Sequence, residues 1–183
     1  MEIGMNIFYL SNSAKEASHM HCDKHVVKMI VESAQLLSTA HRVIDGTQQV
    51  VLSESGRRVK RWVVDDWREN VLYKATHHNH PSAVWCRQTV EQYNFLHELL
   101  VSLCKEYTHR YKKVHKVEAT KFVDMLSQLP NNLTARGWVE PPPAMPDYCK
   151  VPGNAVQSYR NYYINEKKKF AKWTNRNVPQ WFQ

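Results

Sequence analysis

The first apolar cluster, Asn6-Ile7-Phe8-Tyr9-Leu10, is too short for a helix and predicts a short strand or an extended lead-in. Ser11-Asn12-Ser13 then supplies N-cap chemistry, and the spacing that follows predicts one helix to about Arg42, closed by Asp45-Gly46. Most of its circumference is apolar, through Met20, Val26, Met29, Ile30, Ala34 and Leu37. Against this background His21, His25, Lys28, Glu32 and Gln35, spaced 4, 3, 4 and 3 residues apart, form one narrow polar stripe. Such a stripe is either the solvated face of a buried helix or the lining of a cleft. Two imidazoles, a lysine, a glutamate and a glutamine are more than solvation requires, which favours the cleft.

Beyond residue 46 the pattern changes. Residues 47–64 alternate around Ser53-Glu54-Ser55-Gly56, as in a β-hairpin or a mobile insert. A short helix fits 65–73. Thr76-His77-His78-Asn79-His80-Pro81 is a loop that delivers proline to the first turn of a second long helix, Ser82 to about Tyr111, with Trp85, Leu96, Leu99, Leu100, Leu103 and Tyr107 toward the core. A third helix is expected over 116–129. Four prolines within 140–146 remove amide donors, so 140–153 is expected to be an extended strap. A last helix from Asn154 to about Trp173 and a basic, aromatic tail complete 154–183. The pattern predicts a single all-α domain over 1–183, with a small β-hairpin at about 48–64.

Composition narrows the function classes. The 183 residues carry 25 Lys+Arg against 17 Asp+Glu, a formal charge of +8, with 10 His, 9 Tyr and 6 Trp. Cations that pair with phosphate and rings that stack on bases make nucleic acid the first partner to test. Neither a dinucleotide-binding nor a P-loop glycine pattern occurs, which excludes those phosphate cradles. Cys22, Cys86, Cys104 and Cys149 are widely spaced, without a C-x-x-C pair, and read as free, buried thiols. No stretch is long and apolar enough for a membrane span, and the first 20 residues lack the basic-then-apolar layout of a secretory leader. The expectation is no membrane partner and a cytoplasmic address.

Four groups of side chains are candidates for chemistry. The first is the stripe, with Asp23 and Lys24 beside it. The second is His77, His78, Asn79 and His80 with Ser82, Trp85 and Arg87, at a helix N-terminus where free amides attract anions. His21, His25 and loop histidines together could hold a divalent metal, but no H-E-x-x-H or carboxylate pattern accompanies them. The expectation is therefore no cofactor and no metal, with the imidazoles serving as phosphate or base contacts or as proton-transfer groups. Glu106 and Arg110, at i and i+4, form an ion pair or a phosphate-holding pair. Tyr159, Arg160, Tyr163 and Lys167 combine rings with cations, and the two tyrosines equally fit a core stripe.

Asp23-Lys24-His25-Val26-Val27-Lys28-Met29-Ile30-Val31-Glu32, followed by Gln35-Leu36-Leu37, resembles the first long helix of the pyrimidine-dimer DNA glycosylases of phages and bacteria. His80-Pro81-Ser82-Ala83-Val84-Trp85 with Tyr93, Leu96, Leu100, Cys104-Lys105-Glu106-Tyr107 and Arg110-Tyr111 resembles their second. The resemblance covers roughly 6–42 and 77–111 and looks like a divergent branch from tailed phages. It implies a compact all-α domain that cleaves the glycosidic bond of a DNA base. In that family an N-terminal amine is the nucleophile, aided by a carboxylate on the first long helix. The carboxylates on the matching helix are Asp23 and Glu32, with His25 close to the place of the family's acid. Neither Met1-Glu2 nor Met5-Asn6 offers the small second residue that permits Met removal, so this chain departs from the amine nucleophile.

Residues and resemblance together predict an enzyme that draws a nucleotide out of the stack and excises a modified or damaged base between the two long helices. His25, Glu32, Asp23 and His21 would supply acid/base groups. Lys24, Lys28, Gln35 and Arg110 would hold phosphate or leaving group, with His77 to His80 closing the site. The alternatives are a transferase for hypermodified phage bases and a non-catalytic nucleic-acid-binding or counter-defence protein.

Overall fold

The computed structural model describes residues 5–183. Its elements are α1 (Ala14–Met20), α2 (Asp23–Asp45), strands β1 (Thr47–Leu52) and β2 (Arg58–Val63), α3 (Pro81–Cys86), α4 (Val90–Tyr111), the one-turn helices α5 (Lys116–Ala119) and α6 (Phe122–Met125), and α7 (Ala155–Tyr162). The last runs into a π-helical turn at Tyr163–Lys167. The mostly helical class holds, and the hairpin is the one sheet among the described residues.

Helices α2 and α4 form the frame and run antiparallel. Asp23 at the start of α2 meets Arg110 at the end of α4, and His41 near the end of α2 meets Tyr93 near the start of α4. Ile30, Leu36, Leu37, Leu96, Leu99 and Leu100 are fully buried in one core with Tyr9, Tyr93, Tyr159 and Tyr163. Each such aliphatic side chain contributes about 1.5–3 kcal/mol. All four cysteines are buried and free.

The helices are shorter than the periodicity predicts, for tertiary reasons. The first is interrupted at His21 and Cys22, which are extended, because the Asp23 amide donates to the Lys172 carbonyl (2.8 Å) of the C-terminal tail. The second divides at 87–89, where Thr89 Oγ1 caps the Gln92 amide (3.3 Å) and donates to the Gly137 carbonyl (2.6 Å). Residues 116–129 yield only α5 and α6, since Lys121 takes a left-handed conformation (φ 57°). The last helix stops at Lys167, and 65–73 contains a single 3-10 turn, Trp67–Asn70, capped by Asp66. Residues 6–10 form no strand. The Asn6 Oδ1 accepts from the Ile7 and Phe8 amides (2.8 and 3.2 Å) and Phe8 turns left-handed (φ 54°), so the segment curls over α2.

The proline strap is irregular, as expected, and its carbonyls serve as acceptors: Pro142 for the Tyr159 hydroxyl (2.9 Å) and Ala144 for the Asn6 amide side chain (3.0 Å). At the root of the hairpin, Arg42 donates to the Trp62 carbonyl (2.9 Å) and to Glu69 (2.6 Å). Arg68, buried beside it, is held by Asp45 (2.6 Å), Asp66 (2.6 Å) and His41 Nδ1 (3.0 Å).

Candidate functional site

The polar stripe of α2 is covered in part: His25 and Glu32 are buried, Lys28 and Gln35 half-buried. His25, Lys28, Glu32 and Gln35 share one helical face, and the curled N-terminal segment lies on it. The Asn6 amide donates to Glu32 Oε2 (3.2 Å), and Lys28 Nζ stands 3.2 Å from Glu32 Oε1. Glu32 is 8% exposed. Phe8 stacks on His25 with ring centroids 4.1 Å apart and lies parallel to Tyr162 on its other side at 6.0 Å. This sandwich holds the strained Phe8 backbone, and with it Asn6, against the helix.

His25 Nδ1 is 2.5 Å from the Tyr163 hydroxyl, which also accepts the Cys22 amide (3.4 Å). Burial, then the His21 ring and Lys167, Lys28 and Lys24, push His25 down to about 2, so it is neutral at ordinary pH. Burial also pushes the Tyr163 phenol well above its usual value, so the phenol keeps its proton. That proton's acceptor is His25 Nδ1, which places the imidazole proton on Nε2. The π-turn that presents Tyr163 also carries Lys167, whose ammonium sits 4.5 Å from the Tyr162 ring centroid. Lys24 lies over Phe170 at 4.7 Å. Turns of this type recur at functional sites.

Several predicted site residues have other roles. His21 is the C-cap of α1, outside the α2 face; it is fully buried, its Nδ1 is 2.6 Å from the Ala17 carbonyl, and burial pushes it down to about 4. Asp23 is taken by Arg110 (2.9 Å) and by the Thr174 amide and hydroxyl (2.9 and 2.7 Å). Glu106 accepts from Arg110 (2.7 Å) and Arg176 (2.9 Å), and Arg110 also donates to the His19 carbonyl (3.0 Å). Burial raises the Glu106 carboxyl, but the Arg176 and Arg110 hydrogen bonds outweigh it and hold the group below its ordinary value. These charges tie the tail to α1, α2 and α4. Tyr159 is a core residue, as its alternative reading allowed, and Arg160 donates to the Leu10 carbonyl (3.1 Å) while lying over Trp181.

The histidine loop meets α2 beyond the Gln35 end of the stripe and not at His25. The Thr76 amide donates to Thr39 Oγ1 (3.2 Å) near the far end of α2, and His78 lies beside Trp62 of the hairpin. Fourteen helical residues separate Thr39 from His25, about 21 Å along the axis. His77 bonds Thr76 (2.7 Å), and His80 Nδ1 itself accepts the Ser82 amide (3.2 Å), so the helix start expected to attract an anion is self-capped. Arg87 donates to the His78 and Ala83 carbonyls (2.7 and 2.9 Å), Ser82 is fully buried, and Trp85 donates to the Val139 carbonyl (2.8 Å) from the core; Asn79 is exposed. Among the described residues no three His, Cys, Asp or Glu side chains converge as metal ligands, and no helix is long and apolar enough to cross a membrane.

Sequence reasoning missed Asn6 and Phe8 as members of the site. Nothing local marks them, since each acts across the fold. No protein-family model matches the chain, and no curated protein or solved structure matches it.

Proposed function

We propose that the protein acts on DNA as a base-releasing enzyme of glycosylase type, with Glu32 as its working carboxylate. The observation that carries this reading is the meeting of the N-terminal segment with α2, where the Asn6 amide and the Lys28 ammonium each lie 3.2 Å from a Glu32 oxygen. A negative charge fixed by two donors in a mostly buried place is suited to face the oxocarbenium character that develops at C1′ as a base departs. In the pyrimidine-dimer glycosylases an N-terminal amine works beside a carboxylate of the first long helix. The Asn6 nitrogen is an amide with a delocalised lone pair, so it orients Glu32 and does not attack carbon.

Water is then the nucleophile. Its oxygen bonds to C1′ as the C1′–N bond breaks and that bond's electron pair leaves on the base; one water proton passes to the Glu32 carboxylate, the departing base takes a proton from solvent, and Glu32 afterwards returns its proton to solvent. Neutral His25, locked by Tyr163 and stacked on Phe8, is a positioning residue and not the acid. Lys24, Lys28 and Lys167 surround it and give this face the positive charge that backbone phosphates require.

Mass spectrometry of phage and host DNA incubated with the protein tests the reading. Free base and abasic sites are expected, and Glu32→Gln should reduce release by about 10²–10⁴-fold with fold and DNA binding retained. A mass shift in the retained nucleosides without release would replace this reading with a transferase. Salt-dependent binding without chemical change would replace it with a binder.

A further inference from the structure

Strands β1 and β2 form a ribbon that leaves the helical body after Gly46 and returns at Val64, paired only with each other. Gln48 lies opposite Trp62, Val50 opposite Lys60 and Leu52 opposite Arg58, and two-residue alternation puts these side chains on one face. At the root Trp62 lies beside His78 and is half-buried; beyond it the face is turned to solvent, with Leu52 71% and Val50 54% exposed and Gln48, Arg58 and Lys60 exposed beside them. A cleft of 570 Å³ lies between the ribbon and Lys74 and Ala75, lined by Val51, Val59 and Arg61 of the opposite face and also by Leu52 and Trp62.

A two-stranded ribbon alone is marginal in water, and this one is stiffened at both ends. At its root Arg42 holds the Trp62 carbonyl (2.9 Å) and Glu69 accepts the Val64 amide (2.9 Å). At its tip the Ser53 hydroxyl accepts the Arg57 amide (3.0 Å). Its charge is one-sided: residues 47–63 contain Arg57, Arg58, Lys60 and Arg61 against Glu54 alone. A rigid projection with exposed aliphatic tips and a cationic surround is built to meet a polyanion that has a groove.

Resting on the reading that the protein acts on DNA, we propose that this ribbon enters the major groove of duplex DNA, with Arg58 and Lys60 on phosphates and Gln48, Val50 and Leu52 against base edges. The dimensions agree. Two strands about 4.8 Å apart with their side chains fit a groove about 12 Å wide, and six residues per strand span about 20 Å. An amide side chain pairs with adenine, and aliphatic groups meet the thymine methyl.

Fluorescence anisotropy with a labelled duplex and its single strand, over a salt series, tests the assignment. Arg58→Ala with Lys60→Ala is expected to weaken duplex binding about tenfold or more and to make the log–log salt slope shallower by about two, one for each phosphate contact. Val50→Ser with Leu52→Ser is expected to weaken it about tenfold with the slope unchanged. Both pairs should leave single-strand binding within about twofold, and base release from denatured DNA unchanged. Wild-type duplex affinity in both pairs, or equal losses on duplex and single strand, overturns the assignment. So does a wild-type dimer that Val50→Ser with Leu52→Ser converts to monomer at constant duplex affinity, which would give the ribbon to a second copy of the chain. Ribbon-dependent duplex binding without base release overturns the glycosylase reading alone, and base release with ribbon-independent binding overturns the ribbon alone.

Discussion

Acidification is expected to unfold this protein well before its carboxylates are neutralised, because His21, His25 and His41 are buried without charge. All three are at most 1% exposed. Burial, the largest cause in each case, pushes His21 and His41 down to about 4 and His25 to about 2. A group whose folded-state value is depressed stabilises the fold above its unfolded value, near 6.5, and loses that contribution as pH falls toward the folded value. Between about pH 6 and 4.5 unfolding therefore takes up nearly three protons from these residues. That corresponds to about 1.4 kcal/mol per pH unit for each, or about 4 together. Over that window of about 1.5 pH units the loss is on the order of 6 kcal/mol, comparable with the whole stability of a typical domain, about 5–15 kcal/mol. The carboxylates of Asp23, Asp45 and Glu106, also held below their ordinary values, add to the loss only at lower pH. Urea unfolding at a series of pH values, with nitrogen chemical shifts of the imidazoles, reads both the slope and the residues. Stability flat from pH 7 to 5, or a His25 ring that titrates near 6.5, would refute the reasoning and return His25 to the role of acid catalyst.

Two further perturbations address the frame around the site. Glu106→Gln leaves the fully buried Arg110 guanidinium short of a charge partner, at a cost of about 3–5 kcal/mol, so thermal denaturation should fall by roughly 10 °C; replacing Arg110 with Met and Glu106 with Leu together should recover part of it, and an unchanged midpoint for Glu106→Gln would sink the structural role. Gly46→Ala would place a Cβ 2.4 Å from the Arg42 carbonyl and 2.8 Å from that of Val63, both backbone atoms; a loss of about 1–3 kcal/mol with faster amide exchange across β1 and β2 is expected, and wild-type exchange there would contradict the close approach.

What was legible in the sequence was whatever depends on neighbours along the chain. The 3.6-residue pattern located α2 and α4, Asp45-Gly46 located the turn into the hairpin, and the prolines after Glu140 located the strap. Periodicity reports one element's buried side, so it carried this far and no farther. The break at His21 and Cys22 comes from a carbonyl of the distant tail, and no local propensity encodes it. The same holds for side chains whose chemistry depends on what they meet. Asp23, Glu106 and Arg110 look like substrate contacts until Thr174 and Arg176 are seen to occupy them, and the loop histidines look like neighbours of His25 until the length of α2 separates them. Sequence alone determined a basic, mostly helical chain with a polar stripe on its central helix. Only the tertiary structure decided that Asn6 and Glu32 share one place, because hydrogen bonds and desolvation act between residues near in space, whatever their distance along the chain.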